Sequence, residues 1–279
     1  MWDLGSPLAA PVQQLRGERG HYRRAIDLDN AGDQSAEREY RLAIQTNCGR
    51  VPEIWEKFSF FLARTLRFAE AADAMEKCIR ETAGGSLTWD KETLRKFRKA
   101  AELQQSVGST GSPKLEDLTQ LAYLVSGYGR NKTADALPYA QMATHLYPNS
   151  STAYLLLGQM LRGSGDREQQ LQAFEKAIDL DPTNDEAYAE IGFYYLYGAE
   201  AIRAFRKSLE ISGGSNVQAW LGLGRALLHA NQLEEGIDTL RTFLKLASAD
   251  DHSRTNVRTQ MRSYARLLEQ QKKSKQSVP

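Results

Sequence analysis

Three positions far apart in the chain hold a large aromatic residue in the same surroundings. Tyr154 is followed by Leu157-Gly158 and later by Phe174, Tyr188 by Ile191-Gly192 and Phe205, and Trp220 by Leu223-Gly224 and Leu240. Tyr188 follows Tyr154 by 34 residues. A recurrence of this length restricts the fold more than composition does, because periods of about 20 to 50 residues belong to stacked arrays of small structural units. Inside each unit the apolar residues recur three and four apart, the spacing of one helix face. A single helical hairpin cannot hide such a face, so neighbours must stack into one continuous core.

The stretch from Asn149 to Asn184 carries Tyr154, Leu157, Gly158, Leu161, Phe174, Ala177 and Pro182 at fixed offsets. It resembles a tetratricopeptide repeat, of the divergent bacterial type, with Gln170 standing where Ala is usual. The resemblance implies an all-α fold, a right-handed α-solenoid (superhelix) of helix-turn-helix hairpins closed by a C-terminal capping helix. It also implies a non-catalytic scaffold or adaptor that binds a peptide segment or helix of a partner protein in a concave groove. The alternative is a regulatory or substrate-recruiting module of a larger enzyme or membrane-bound complex.

The neighbours are less regular. Residues 1–14 read as a leader interrupted by Pro7 and Pro11. Residues 15–83 read as two repeat-like hairpins. The first is degenerate, with Arg24 where Leu is expected and Ala36, Tyr40 and Ala43 at second-helix spacing; the second is clear, with Trp55, Phe58, Leu62, Phe68, Ala71, Met75 and Cys78. Residues 84–113 insert a helix, with Leu94, Phe97 and Ala101 on one side, between Gly84-Gly85 and a Gly/Ser/Pro link from Gly108 to Pro113, which makes this the expected hinge or subdomain boundary. Hairpins resume over 114–250, with a shortened turn after Tyr195. Residues 251–279 form a capping helix, with Val257, Met261, Tyr264 and Leu268 on one face, and a basic tail.

The 279 residues include 36 basic and 35 acidic side chains, so no global field draws the chain to nucleic acid or an anionic membrane. A protein or peptide partner is expected, with no nucleic acid and no direct membrane insertion. Self-association stays open, because a degenerate first repeat exposes apolar surface. The expected compartment is cytoplasmic, or else the chain is a soluble module of a membrane-associated or envelope protein. Cys48 and Cys78 give no disulfide framework, and Cys78 falls in a packing slot. His21, His145, His229 and His252 are scattered without metal-ligand spacing, so no metal, cofactor or catalytic cluster is expected. SGYGRNKT lacks the Gly before Lys132 that a phosphate loop needs, and GLGRAL with Gly222 and Gly224 is a partial dinucleotide fingerprint inside a helix. Arg95, Lys96, Arg98 and Lys99 read as a solvated helix face.

In the tetratricopeptide family the first helices of successive hairpins line the groove. Carried onto this chain by offset from the aromatic slot, one column holds Glu56, Thr119, Leu155, Ala189 and Leu221. A second holds Phe60, Tyr123, Gln159, Phe193 and Arg225, and a third Arg64, Arg162, Tyr197, Leu228 and His229. The partner-binding groove is therefore expected at Phe60, Arg64, Tyr123, Gln159, Arg162, Phe193, Tyr197, Arg225 and His229. Glu56, Phe60 and Tyr123 occupy slots where the co-chaperone members carry Lys and Asn, so a C-terminal carboxylate ligand is not expected.

Overall fold

The computed structural model describes residues 9–46, 51–82, 88–109, 111–162, 165–249, 251 and 253–276. Among them the regular elements are all α-helices, paired into hairpins as in an α-solenoid. They divide into two compact units, residues 1–139 and 140–279. Gly84-Gly85, Cys48 and His252 lie outside the described residues.

In the first unit, α1 (Ala9–Asn30) and α2 (Ala36–Thr46) form one hairpin, and α3 (Pro52–Arg64) and α4 (Phe68–Glu81) the next. Helix α1 starts at Ala9, inside the expected leader. Pro11 falls in its first turn, where the missing N–H would have no intrahelical acceptor anyway. The degenerate repeat packs fully, with Ala25, Ala36, Tyr40 and Ala43 inaccessible to solvent.

The inserted helix α5 (Thr88–Ser109) packs on both α4 and α6 (Leu115–Tyr128). Phe97, Ala100 and Leu103 are its buried apolar residues, with Thr93 buried beside them in sequence. The Phe97 ring meets Phe60 at 5.9 Å and Tyr128 at 5.0 Å edge-on, and Phe68 at 6.2 Å. Its basic residues are solvated, Arg98 and Lys96 pairing with Glu76 and Glu92 at 2.9 and 2.8 Å. The division between the units falls at Tyr139, within α7 (Thr133–Leu146), one residue after Pro138.

In the second unit, α8 (Ser151–Met160) pairs with α9 (Arg167–Leu180), and α10 (Asp185–Tyr195) with α11 (Ala199–Ile211). Helix α12 (Val217–His229) pairs with α13 (Leu233–Leu246), and α14 (Ser253–Gln276) packs on α13. Each first helix is started by a polar cap. Ser150, Asn184 and Asn216 accept the backbone N–H of Ala153, Ala187 and Ala219, pairing donors the helix leaves open. Asn184 also donates to Ser151 Oγ at 2.7 Å, and Asn216 to Asp185 Oδ2 at 2.8 Å, so each cap ties its hairpin to the preceding first helix. On α14, Val257 is fully buried, with Met261, Tyr264 and Leu268 packed beside it on the α12–α13 core.

The helical glycines of the second unit are close-approach points. A Cβ at Gly158 would lie 2.4 Å from the Phe174 ring, and one at Gly192 2.6 Å from Phe205. Gly222, outside the family's slots, presses on Phe205 from α12, where a Cβ would fall 2.3 Å from the ring. Gly192→Leu should therefore destabilise the second unit by about 3 kcal/mol through overpacking, the upper end of the usual range. A thermal melt checks this, and an unchanged transition would show that α10 and α11 are not in close contact.

Candidate functional site

The expected groove residues of the first unit have different surroundings. Phe60 packs its ring on Phe97, so it serves the inserted helix. Arg64 pairs through Nη2 with Asp29 Oδ2, a carboxylate that is 5% exposed. Arg130, at the start of the α6–α7 turn, donates from Nη2 to Asp29 Oδ1 and from Nη1 to the Asp29 carbonyl, both at 3.1 Å. Its backbone N–H reaches the Arg64 carbonyl at 3.2 Å. The turn that superficially resembles a phosphate loop thus locks the C-terminal ends of α1, α3 and α6 together. Tyr123 is the surface member of the set, 46% exposed on α6.

In the second unit the columns separate by burial. Leu155, Ala189 and Leu221 are buried, each in a different core cluster. Gln159 donates to Glu190 Oε1 at 3.0 Å, and Arg162 pairs with Glu190 Oε2, which joins α8 to α10. Phe193 is half-buried and packs edge-on against Phe205 with centroids 4.9 Å apart, at the edge of the core.

The turn from α10 to α11 contains only Leu196, Tyr197 and Gly198. Leu196 and Gly198 both take the left-handed region, with φ of 64° and 94°. The missing turn residues leave Tyr195, Leu196 and Tyr197 at 40, 54 and 48% exposure, three consecutive large apolar side chains on the surface. Tyr197 lies flat against His229, with ring centroids 4.1 Å apart and planes 11° from parallel.

Beside that pair is a cavity of about 330 Å³. Helix α12 supplies Arg225, Leu228 and His229, the turn supplies Tyr197, and α14 supplies Asn256, Gln260 and Tyr264. The structure therefore brings Tyr197, Arg225 and His229 together and adds three residues of the capping helix. The signal for Gln260 was in the sequence: it stands three residues after Val257 and four before Tyr264, a polar residue on the buried stripe.

Among the described residues, no group of three or more His, Cys, Asp and Glu side chains could hold a metal ion. No described helix is long and apolar enough to cross a membrane. Cys78 is buried in the core.

Two tetratricopeptide-repeat family profiles match the chain, one over residues 151–184 and one over 198–251. The chain contains tetratricopeptide repeats. The first match coincides with the most regular stretch of the sequence and the second with the hairpins that flank Trp220. No curated protein sequence matches the chain.

Among solved structures it is similar to the crystal structure of yeast Tom70, with a TM-score of 0.50 and 13% identity over 90% of this chain and 47% of that one, a likeness of fold. A crystal structure of MamA aligns at a TM-score of 0.45 and 20% identity over 56% of this chain and 92% of that one. That of YrrB, described as a repeat protein with an unusual peptide-binding site, aligns at 0.36 and 18% identity over 76% and 90%. The chain spans about half the length of Tom70. As a stack of these repeats, the chain has the architecture of a protein-interaction scaffold.

Proposed function

We propose that the chain is a non-catalytic scaffold that docks an extended segment or helix of a partner protein on the first helices of its hairpins. The observation that carries this reading is the run Tyr195-Leu196-Tyr197, exposed by a turn too short to fold it away and continuous with the Arg225 and His229 side of α12. Exposed aromatic anchors beside fixed polar groups are what a protein-binding surface uses. Gln159 and Arg162, fixed on Glu190, extend the polar part of that face to α8. In the first unit Tyr123 supplies the corresponding exposed aromatic.

Tyr197→Ala and Tyr123→Ala test the two faces separately, because neither ring is buried. Affinity capture by the intact protein, quantified by mass spectrometry against each variant, should show a partner whose recovery falls at least tenfold in Tyr197→Ala while the melting curve is unchanged. Phe193→Ala is a poor probe, since it also opens the core around Phe205. A partner retained by both variants would place the interface on other helices.

A further inference from the structure

Three arginines stand at groove offsets, and two of them are neutralised within the fold. Arg64 pairs with Asp29 and Arg162 with Glu190. Arg225, on α12, is half-buried and has neither an ion pair nor a hydrogen-bond acceptor among the described residues. Every other half-buried arginine or lysine of the described residues is held: Arg67 by Glu37, Arg130 by Asp29, Lys207 by Glu210, and Arg254 by the Ala247 carbonyl. A guanidinium cannot shed its charge, so one taken partly out of water is normally matched by an anion or by acceptors. The cavity that Arg225 lines has no Asp or Glu on its walls, which come from α12, α14 and Tyr197. A fixed positive charge therefore faces this space with nothing in the chain to balance it.

We infer that this cavity receives a side-chain carboxylate, an Asp or Glu of the docked partner segment. Arg225 Nε is enclosed by protein, so recognition falls to the two terminal nitrogens of the guanidinium, which stay accessible and make no hydrogen bond inside the chain. Two parallel N–H···O bonds from that end match the two oxygens of a carboxylate. A carboxamide brings an acceptor without charge and an apolar side chain brings neither, so both leave the arginine unbalanced. A phosphoryl group is the ligand of arginine clusters, whereas this cavity has one permanent cation. At about 330 Å³ the space is at the small end of ligand pockets, which suits one side chain. On the α14 wall Asn256 and Tyr264 add uncharged donors, and the stack of Tyr197 on His229 forms the opposite side. Tyr197 also belongs to the exposed run, so a segment lying on that run passes Arg225. The inference rests on the docking reading for the source of the carboxylate, and on the unpaired arginine for its chemistry.

The test titrates the full chain with N-acetyl-glutamate N-methylamide at fixed ionic strength and follows 1H–15N spectra, with the glutamine counterpart as the neutral control. The expected result is a saturable shift confined to the amides of residues 225–229 and 256–264, roughly five- to tenfold weaker with glutamine, the difference between a hydrogen bond to a charged group and a neutral one. Arg225→Gln and Arg225→Met should each remove the preference with the rest of the spectrum in place. Arg225→Lys should keep part of it, because the charge remains and the planar fork does not. No localised saturable shift, equal responses to the two derivatives, or a preference that survives loss of the arginine would each overturn the assignment. A tighter response to N-acetyl-phosphoserine N-methylamide would overturn it in favour of a phosphoryl ligand. A carboxylate preference with no partner lost in Tyr197→Ala sinks the docking reading and leaves the site. A partner lost in Tyr197→Ala but fully retained by Arg225→Gln sinks the site alone.

Discussion

Phe205→Ala should remove about 3 to 5 kcal/mol from the stability of the second unit, the range for deleting a fully buried phenyl ring. The ring is 1% exposed and is held from two sides by glycines, Gly192 on α10 and Gly222 on α12, with Phe193 edge-on against it. Because both glycines exist to admit the ring, their cost should depend on it. Gly222→Ala alone should destabilise, since its Cβ would lie well inside contact distance of the phenyl carbons. In a Phe205→Leu background the same substitution should cost much less, giving a coupling of about 1 kcal/mol or more, the size that neighbouring residues show. Urea unfolding of the four proteins measures the cycle. Additive losses would mean that glycine is required at these positions for backbone reasons and that α10 and α12 do not close on the ring.

The packing residues were legible because they repeat. Phe205, Gly192 and Leu240 could be placed from offsets alone, since any unit that stacks on a copy of itself must present the same side chain at the same turn. The offsets fail where a neighbour is not a copy. Phe60 occupies a groove slot but meets Phe97, because the inserted α5 packs its ring there. Arg64 occupies another, yet its partner Asp29 and their common neighbour Arg130 belong to irregular hairpins, and a pairing 101 residues apart leaves no local pattern. Arg225 and His229 sit at groove offsets, but the other wall of their cavity comes from α14, which lies outside the repeat, so no repeat offset points to Gln260. On the proposed docking reading, the surface to test first is where the repeat is broken, at the shortened α10–α11 turn.

Asp29→Ala should cost the first unit about 2 to 4 kcal/mol and leave the second unit unchanged. Its carboxylate, 5% exposed, is met by Arg64, by Arg130 and by the Tyr40 hydroxyl, which donates to Oδ2 at 3.3 Å. Burial first, and then the adjacent Asp29 charge, push the Tyr40 phenol far above its ordinary pKa, so it stays the neutral donor. Removing the carboxylate strands two guanidinium groups, which remain only about a third exposed and rehydrate in part. That partial rehydration sets the expected loss below the full cost of an uncompensated buried charge. The decisive comparison is the triple variant Asp29→Leu, Arg64→Met, Arg130→Met, which removes the charges together and should recover most of the loss, because an apolar replacement of a whole buried cluster is often neutral. Amide hydrogen exchange, read separately over residues 20–139 and 140–276, reports the two units independently. Faster exchange confined to α1, α3 and α6 in Asp29→Ala, restored in the triple variant, is the expected pattern. If the triple variant is as unstable as the single one, the cluster holds the three helix ends through its specific hydrogen-bond geometry and not through the balance of its charges.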